Sequence, residues 1–390
     1  MSRSARTLLA ITAAAGAALS LMAAASSAPA GRDSGPALPR LHSLYVPMPD
    51  GVRLAVDVWL PAGATAGARL PTVLETDRYW RARAYTGGIK DNPNYQIALP
   101  WNQRGYAYVF ADLRGTGASF GTLTAELGSA MIKDVGSLAD WIAAQPWSNG
   151  RVGVTGVSYS GDTAMLSLAL RNPHITAAAP ISYDFDVYED LARPGGILIQ
   201  PLLAPYALLL RILDKAGGTT CATSAETEEV CQEAGLTGAS PEPVDGPHGE
   251  ELLTQARAEH FHNVNLVDFA TAGVYRNYTD GPQSWTVASA GDKIAPIEAG
   301  GVPILTFAGW LDAGTPDGVL SEFTSMSNTQ EDWIGPWSHG QGYIASPFEP
   351  SRPLTPRNTS SSRTGYMRSS TVTSRTTSGR TAAACCTTTR

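Results

Sequence analysis

Short, unbroken apolar runs separated by helical or loop stretches constrain this chain more than any other feature. They are Thr72 to Leu74, Ala107 to Ala111, Val152 to Thr155, Ala177 to Ile181 and Pro303 to Phe307. Runs this short and uniform suit strands buried on both faces of a parallel sheet, because a strand with one wet face would alternate instead. Between two of them, Val135, Leu138, Ala139 and Ile142 share one helical face, and Asn149-Gly150 ends the segment. This alternation predicts an α/β fold on a doubly wound, mostly parallel sheet. Ahead of it a hairpin is expected: Leu44 to Pro47, a turn at Pro49-Asp50-Gly51, then Arg53 to Leu60 with Leu54, Val56 and Val58 alternating.

The runs also divide the chain. Residues 31–183 and 301–350 carry the two parts of the core. Between them, residues 184–300 turn long, amphipathic and loop-rich, with helical stretches at Gln200 to Lys215 and Glu250 to His260. An insertion of that kind is expected to form a mainly helical cap over the C-terminal edge of the sheet, where such folds bind their ligands. Residues 1–30 read as an export signal, with Arg3 and Arg6 before the apolar stretch Leu8 to Ala25 and an Ala28-Pro29-Ala30 cleavage site. The alternative, a membrane anchor, is disfavoured by the weakly apolar composition and the lack of a basic stop-transfer flank. A secreted protein with no membrane attachment after cleavage is therefore expected.

Export changes how the cysteines read. Cys221 and Cys231 lie close together, and an oxidising compartment lets them pair; the alternative is two free thiols. Neither has the spacing of a metal site, and no cofactor is implied. The net charge of −7 comes with no concentration of Lys and Arg in the core, which disfavours a nucleic-acid partner. Residues 351–390 differ in kind: Ser, Thr and Arg dominate, and no Leu, Ile or Phe follows Leu354. Such a segment buries too little apolar surface to offset its ordering entropy, so disorder is expected.

The chemistry begins at Val152-Gly153-Val154-Thr155-Gly156-Val157-Ser158-Tyr159-Ser160-Gly161. A buried strand runs into a tight turn with Ser158 at its apex and then into a helix, the form of a nucleophile elbow in an α/β-hydrolase. The elbow needs small residues two places before and after its serine. Gly156 meets that need; Ser160 stands where glycine is usual, and Gly161 follows one place later. An ordinary turn with Ser158 as a helix N-cap is the alternative.

A nucleophilic serine needs a base, and the order in this fold is serine, acid, histidine. His42 precedes the serine, His174 ends the helix after the elbow, and His248, His260 and His262 lie in the expected cap. That leaves His339, in Trp333-Ile334-Gly335-Pro336-Trp337-Ser338-His339-Gly340. Asp312 is the first carboxylate after the strand Pro303 to Phe307 and can fix the tautomer of His339; Asp317 is the fallback. The developing oxyanion needs donors. The Tyr159 amide supplies one, and the Tyr79 hydroxyl, in the loop after Thr72 to Leu74, is the best candidate for the other.

These residues bring a family into view. The chain resembles the X-prolyl dipeptidyl-peptidase and cocaine-esterase group of α/β-hydrolases over roughly residues 40 to 345. The matching segments are Gly51-Val52-Arg53-Leu54, Arg104-Gly105-Tyr106, Asp112-Leu113-Arg114-Gly115-Thr116-Gly117, Gly156-Val157-Ser158-Tyr159, Gly309-Trp310-Leu311-Asp312 and Gly335-Pro336-Trp337-Ser338-His339. The resemblance implies Ser158, Asp312 and His339 as a catalytic triad, Tyr79 and the Tyr159 amide as the oxyanion hole, and an ester, amide or short peptide as substrate. It also implies a C-terminal β-sandwich, where this chain instead turns into its Arg/Ser/Thr tract. A truncated or frameshifted product is expected on that ground, and an inactive product or a non-catalytic binding protein on the same scaffold is the alternative function. Asp184, Asp186 and Trp310 are the candidate substrate contacts, the two aspartates as anions for a substrate ammonium; the alternative is a solvated acidic loop.

Overall fold

The computed structural model describes residues 39–65, 67–215 and 221–340, together with the backbone of 341, 343–344, 352–353 and 381–384. The export signal expected in 1–30 lies outside the described residues. Among the described residues nine strands form one sheet: β1 (Arg40–Pro47), β2 (Arg53–Leu60), β3 (Leu70–Asp77), β4 (Ala107–Asp112), β5 (Ser148–Val157), β6 (Ile175–Ile181), β7 (Ile304–Gly309), β8 (Gln330–Gly335) and β9 (Thr381–Ala384). Their order is β1-β2-β4-β3-β5-β6-β7-β8-β9. β1 and β2 pair antiparallel as the expected hairpin, β2 meets β4 antiparallel, and all later pairings are parallel.

Both faces of this sheet are covered, which is why its strands read as continuous apolar runs. Along β4, Tyr108 and Phe110 pack with Trp59, Val73, Tyr95 and Trp101, while Val109 and Ala111 join the main core with Leu74 and Val154. Helix α1 (Tyr95–Asn102) covers the first face. On the other, α2 (Ser129–Ala143) buries Val135, Leu138, Ala139 and Ile142, the residues grouped by their spacing. Helix α3 (Tyr159–Ser167) is buried on every side, so it lacks a polar stripe.

The chain reverses its winding at β3. From there it steps to β4 on one side and then to β5 on the other. A doubly wound sheet opens its ligand crevice at such a switch point, beyond the C-terminal ends of the strands. Here those ends carry the loop after β3 and the turn after β5.

Between β6 and β7 the chain forms the helices α4 (Gln200–Asp214), α5 (Ala225–Glu233), α6 (Gly249–His260) and α7 (Leu266–Ala272). Leu209, Leu210, Ile212 and Leu213 of α4 close with Val230, Leu236 and Trp80 into a small core of their own. Cys221 and Cys231 are joined by a disulfide within it.

Two features depart from what the sequence suggests. β8 gives no apolar run because Gln330, Glu331 and Asp332 at its start are polar, so its end reads as part of the histidine loop. The tail expected to be disordered contributes two short paired segments, Arg352–Pro353 and Thr381–Ala384, the latter parallel to Glu331–Ile334 of β8. A sheet edge offers unpaired N–H and C=O groups that any chain can meet through its backbone, without the apolar side chains on which the disorder expectation rests. The remainder of that expectation concerns residues outside those described.

Candidate active site

The turn after β5 is built around close backbone approach. Ser158 sits at φ 61° and ψ −127°, a strained conformation for a residue with a side chain. Its amide donates to the carbonyl of Ile181 on the neighbouring strand at 2.9 Å, which holds the turn against the sheet. A Cβ on Gly156 would lie 2.3 Å from Ser160 Cβ, and one on Gly161 2.9 Å from Tyr183 Cβ. Both glycines are thus demanded by contact, while the place between them tolerates a serine. Ser158 stays partly exposed at the mouth of the turn.

The other two expected groups meet as a pair. His339 Nδ1 and Asp312 Oδ1 are 2.6 Å apart. The second Asp312 oxygen accepts from the Thr315 hydroxyl at 3.0 Å. Asp317, the fallback acid, is exposed on the first turn of α8 (Thr315–Ser325) and takes no part. The loops carrying Asp312 and His339 are locked by contact: a Cβ on Gly309 would lie 2.0 Å from the Trp337 carbonyl oxygen. Ser182, just after β6, lies between them, accepting from the Gly340 amide at 3.1 Å and helping to lower the Asp312 pKa.

Electrostatics follow from this pairing. Burial pushes Asp312 up, but the charge and hydrogen bond of His339, with the hydroxyls of Ser182 and Thr315, hold it below the usual carboxylate range. Burial pushes His339 down, yet Asp312 overrides that and carries it above the ordinary imidazole value, with Asp162 adding to the effect. Asp162 lies one turn along the helix that Ser158 begins, and its amide donates to the Ser158 carbonyl at 2.9 Å. His339 and the elbow therefore share one field at the rim of the sheet. Ser158 lies beside the Tyr79 hydroxyl and works to lower its pKa, and no bond from Ser158 to His339 is made among the described residues. Hydrogen bonds of this kind commonly tighten only once substrate is bound.

Tyr79 is half-buried over the elbow, and its hydroxyl lies 2.8 Å from that of Tyr206 on α4. Its ring meets that of Tyr159 edge-on, with centroids 6.4 Å apart. Buried Asp77 fixes the loop by accepting from the Tyr79 amide at 3.0 Å and from the Ser160 hydroxyl at 3.3 Å. Arg78, fully buried, bonds Asp214 at the end of α4 at 2.7 and 3.0 Å and Glu126 at 3.3 and 3.4 Å. Glu126 in turn accepts from the Tyr159 hydroxyl at 2.6 Å. Tyr206, Arg78, Glu126, Asp214 and Ser182 are not marked in the sequence, because their partners are distant in the chain and no local motif surrounds them.

The expected substrate contacts diverge. Trp310 is exposed at the rim. Asp184 is buried beside Asp162, which accepts from its amide at 2.8 Å, and burial together with Asp162, Asp190 and Asp312 pushes its carboxyl well up. Asp186 is engaged within the protein. Its Oδ1 caps the short helical segment Val187–Ala192 and accepts from Ser289, while Oδ2 pairs with Arg276. Among the described residues no group of three or more His, Cys, Asp or Glu is arranged to hold a metal ion.

Comparison with known proteins bears on the family and the fold. A family model described as X-Pro dipeptidyl-peptidase (S15 family) matches residues 50–341. A Mycobacterium bovis protein named as a putative serine esterase is 34% identical over 343 residues, covering 79% of this chain and 53% of the relative. Cocaine esterase of a Rhodococcus species is 26% identical over 299 residues, covering 76% and 48%. The chain thus spans about half the length of the curated relatives it matches. Among solved structures, an aminopeptidase from a marine sediment Thaumarchaeota archaeon has a TM-score of 0.54 at 19% identity, over 87% of this chain and 56% of its own. A CocE/NonD family hydrolase from Staphylococcus aureus has a TM-score of 0.52 at 17% identity, over 89% and 56%. These two likenesses concern the fold.

Proposed function

The chain belongs to the X-Pro dipeptidyl-peptidase (S15) family, and from that membership and the geometry at the sheet rim we propose that it is a serine hydrolase cleaving an ester or amide through an acyl-enzyme. Ser158 attacks the acyl carbon while His339 takes its proton; Asp312 orients the imidazole and stabilises the imidazolium. The Tyr79 hydroxyl and the Tyr159 amide receive the oxyanion. His339 then protonates the leaving group, and a water activated by the same imidazole releases the acid. The observation that carries this reading is the 2.6 Å Asp312–His339 pair beside a strained serine elbow. The segment 184–300 serves as a cap, and the protein works outside the cell after losing its leader, free of the membrane.

Ester cleavage is the favoured substrate class. Asp186, one anion expected to hold a substrate amino terminus, is already committed to Arg276 and to its own helix cap, and two curated relatives are named esterases. A fluorophosphonate probe is expected to label Ser158, and Ser158→Ala to abolish p-nitrophenyl ester turnover. Unchanged turnover in that variant moves the nucleophile elsewhere. Simple aryl esters should be cleaved in preference to Ala-Pro-p-nitroanilide, and the reverse preference would overturn the ester assignment.

A further inference from the structure

The Tyr79 hydroxyl does not stand alone at the rim. Its oxygen is 2.8 Å from that of Tyr206, and the two rings meet edge-on with centroids 6.5 Å apart at 64°. Among the described residues this is the one hydrogen bond of the Tyr206 hydroxyl. A tyrosine hydroxyl has a single proton to give and lone pairs that accept. Tyr79 has two hydroxyl neighbours, Ser158 and Tyr206. Which way its proton points depends on which neighbour donates.

We infer that Tyr206 is a positioning residue for the oxyanion site, its hydroxyl donating to the Tyr79 oxygen so that the Tyr79 proton is turned out of the cap toward the substrate oxygen. The inference rests on the hydrolase reading above and deepens it by bringing an α4 residue into the machinery. Tyr206 is well placed for this role. Helix α4 is fastened to the same loop a second time, because Asp214 at its end binds Arg78, the residue before Tyr79. The two attachments are eight residues apart on α4, about 12 Å along a helix, so α4 cannot shift without moving Tyr79. Arg78 is bound to Glu126, and Glu126 to the Tyr159 side chain, so the residues bearing both oxyanion donors are referred to one helix of the insertion. A donated hydrogen bond also makes Tyr79 the better acid, and Tyr206 acts on its pKa in that direction, against the upward push of burial.

The test is a double-mutant cycle in the full chain, measured with a p-nitrophenyl ester. Phe fills the volume of Tyr, so Tyr206→Phe should keep the wild-type unfolding midpoint. Its kcat should fall roughly 5- to 30-fold, less than the 10²–10³-fold for loss of an oxyanion donor itself, with KM within about twofold. In a Tyr79→Phe background the same substitution should change kcat less than about twofold, because the group it acts through is gone. A purely structural Tyr206 would lower the midpoint and act equally in both backgrounds. Equal effects in the two backgrounds, or a wild-type kcat in Tyr206→Phe, overturn the inference. The hydrolase reading has a separate test: if Ser158 takes the fluorophosphonate label while the cycle is additive, only the role of Tyr206 falls. If Ser158 stays unlabelled in the folded wild-type chain, the reading falls and the inference with it.

Discussion

Removing the Arg78 guanidinium is the sharpest test of how the rim is held together. Its side chain has no solvent exposure, and those of Glu126 and Asp214 are each 6% exposed. Arg78→Met keeps the apolar stem but leaves both carboxylates buried without their cation. Breaking a buried ion pair from one side costs about 3–5 kcal/mol, because the surviving charge stays desolvated. For a chain of 390 residues an unfolding entropy of about 2.1 cal/mol/K per residue makes each kcal/mol lower the midpoint by about 1 °C, so a fall of roughly 4–6 °C is expected in a thermal melt at neutral pH. Neutralising the partners as well should reverse much of it. Arg78→Met with Glu126→Gln and Asp214→Asn removes all three charges, so no uncompensated charge stays buried. The triple variant should therefore recover at least half the loss, a non-additivity expected of one network. A single variant melting within about 2 °C of wild type, or a triple variant melting below the single one, would refute this account.

Two further outcomes follow from the site. The proposed mechanism needs neutral His339, and Asp312 raises its pKa above the ordinary 6.5, so kcat/KM should fall as pH drops through a value above 6.5. Asp312→Asn should move that limb downward and cut kcat by roughly 10⁴-fold; a pH–rate profile with an unmoved limb would break the assigned pairing. Gly156→Ala would place a Cβ 2.3 Å from Ser160 Cβ and 2.5 Å from the Ser160 carbonyl carbon. With backbone in the way, a destabilisation of at least about 1–3 kcal/mol is expected in a denaturant melt, and an unchanged midpoint would mean the elbow is looser than described.

The fold is legible where local chemistry and tertiary burial ask for the same residues. β4 and β5 need apolar runs because both faces of the sheet are covered, and α2 needs its spaced apolar face. The Asp312–His339 pairing is legible because strand order and the scarcity of histidine leave few choices. β8 is not, because its first three residues are polar, and no window of sequence separates such a strand from a loop. Asp186 misleads for a related reason: an acidic run looks free until the fold brings Arg276 to it. Arg78 and Asp214 are 136 residues apart in the chain, and nothing in either neighbourhood announces the other.

Ser160 shows how a small departure from a motif can carry structure. Strict elbows place glycine there, because the turn brings that backbone against the residue two before the nucleophile. Here Gly156 absorbs the whole approach, since the atoms its Cβ would strike belong to Ser160. The serine hydroxyl is then free to bond Asp77 at 3.3 Å, and Asp77 also accepts from the Tyr79 amide. Burial pushes Asp77 up to about 6, with the hydrogen bonds of Tyr79 and Ser160 working to lower it. A glycine at 160 would leave Asp77 with one donor fewer at a buried position, where a lost partner is costly. The residue that weakens the motif thus ties the turn bearing Ser158 to the loop bearing Tyr79. The proposed nucleophile and oxyanion donor are set against each other through one buried carboxylate.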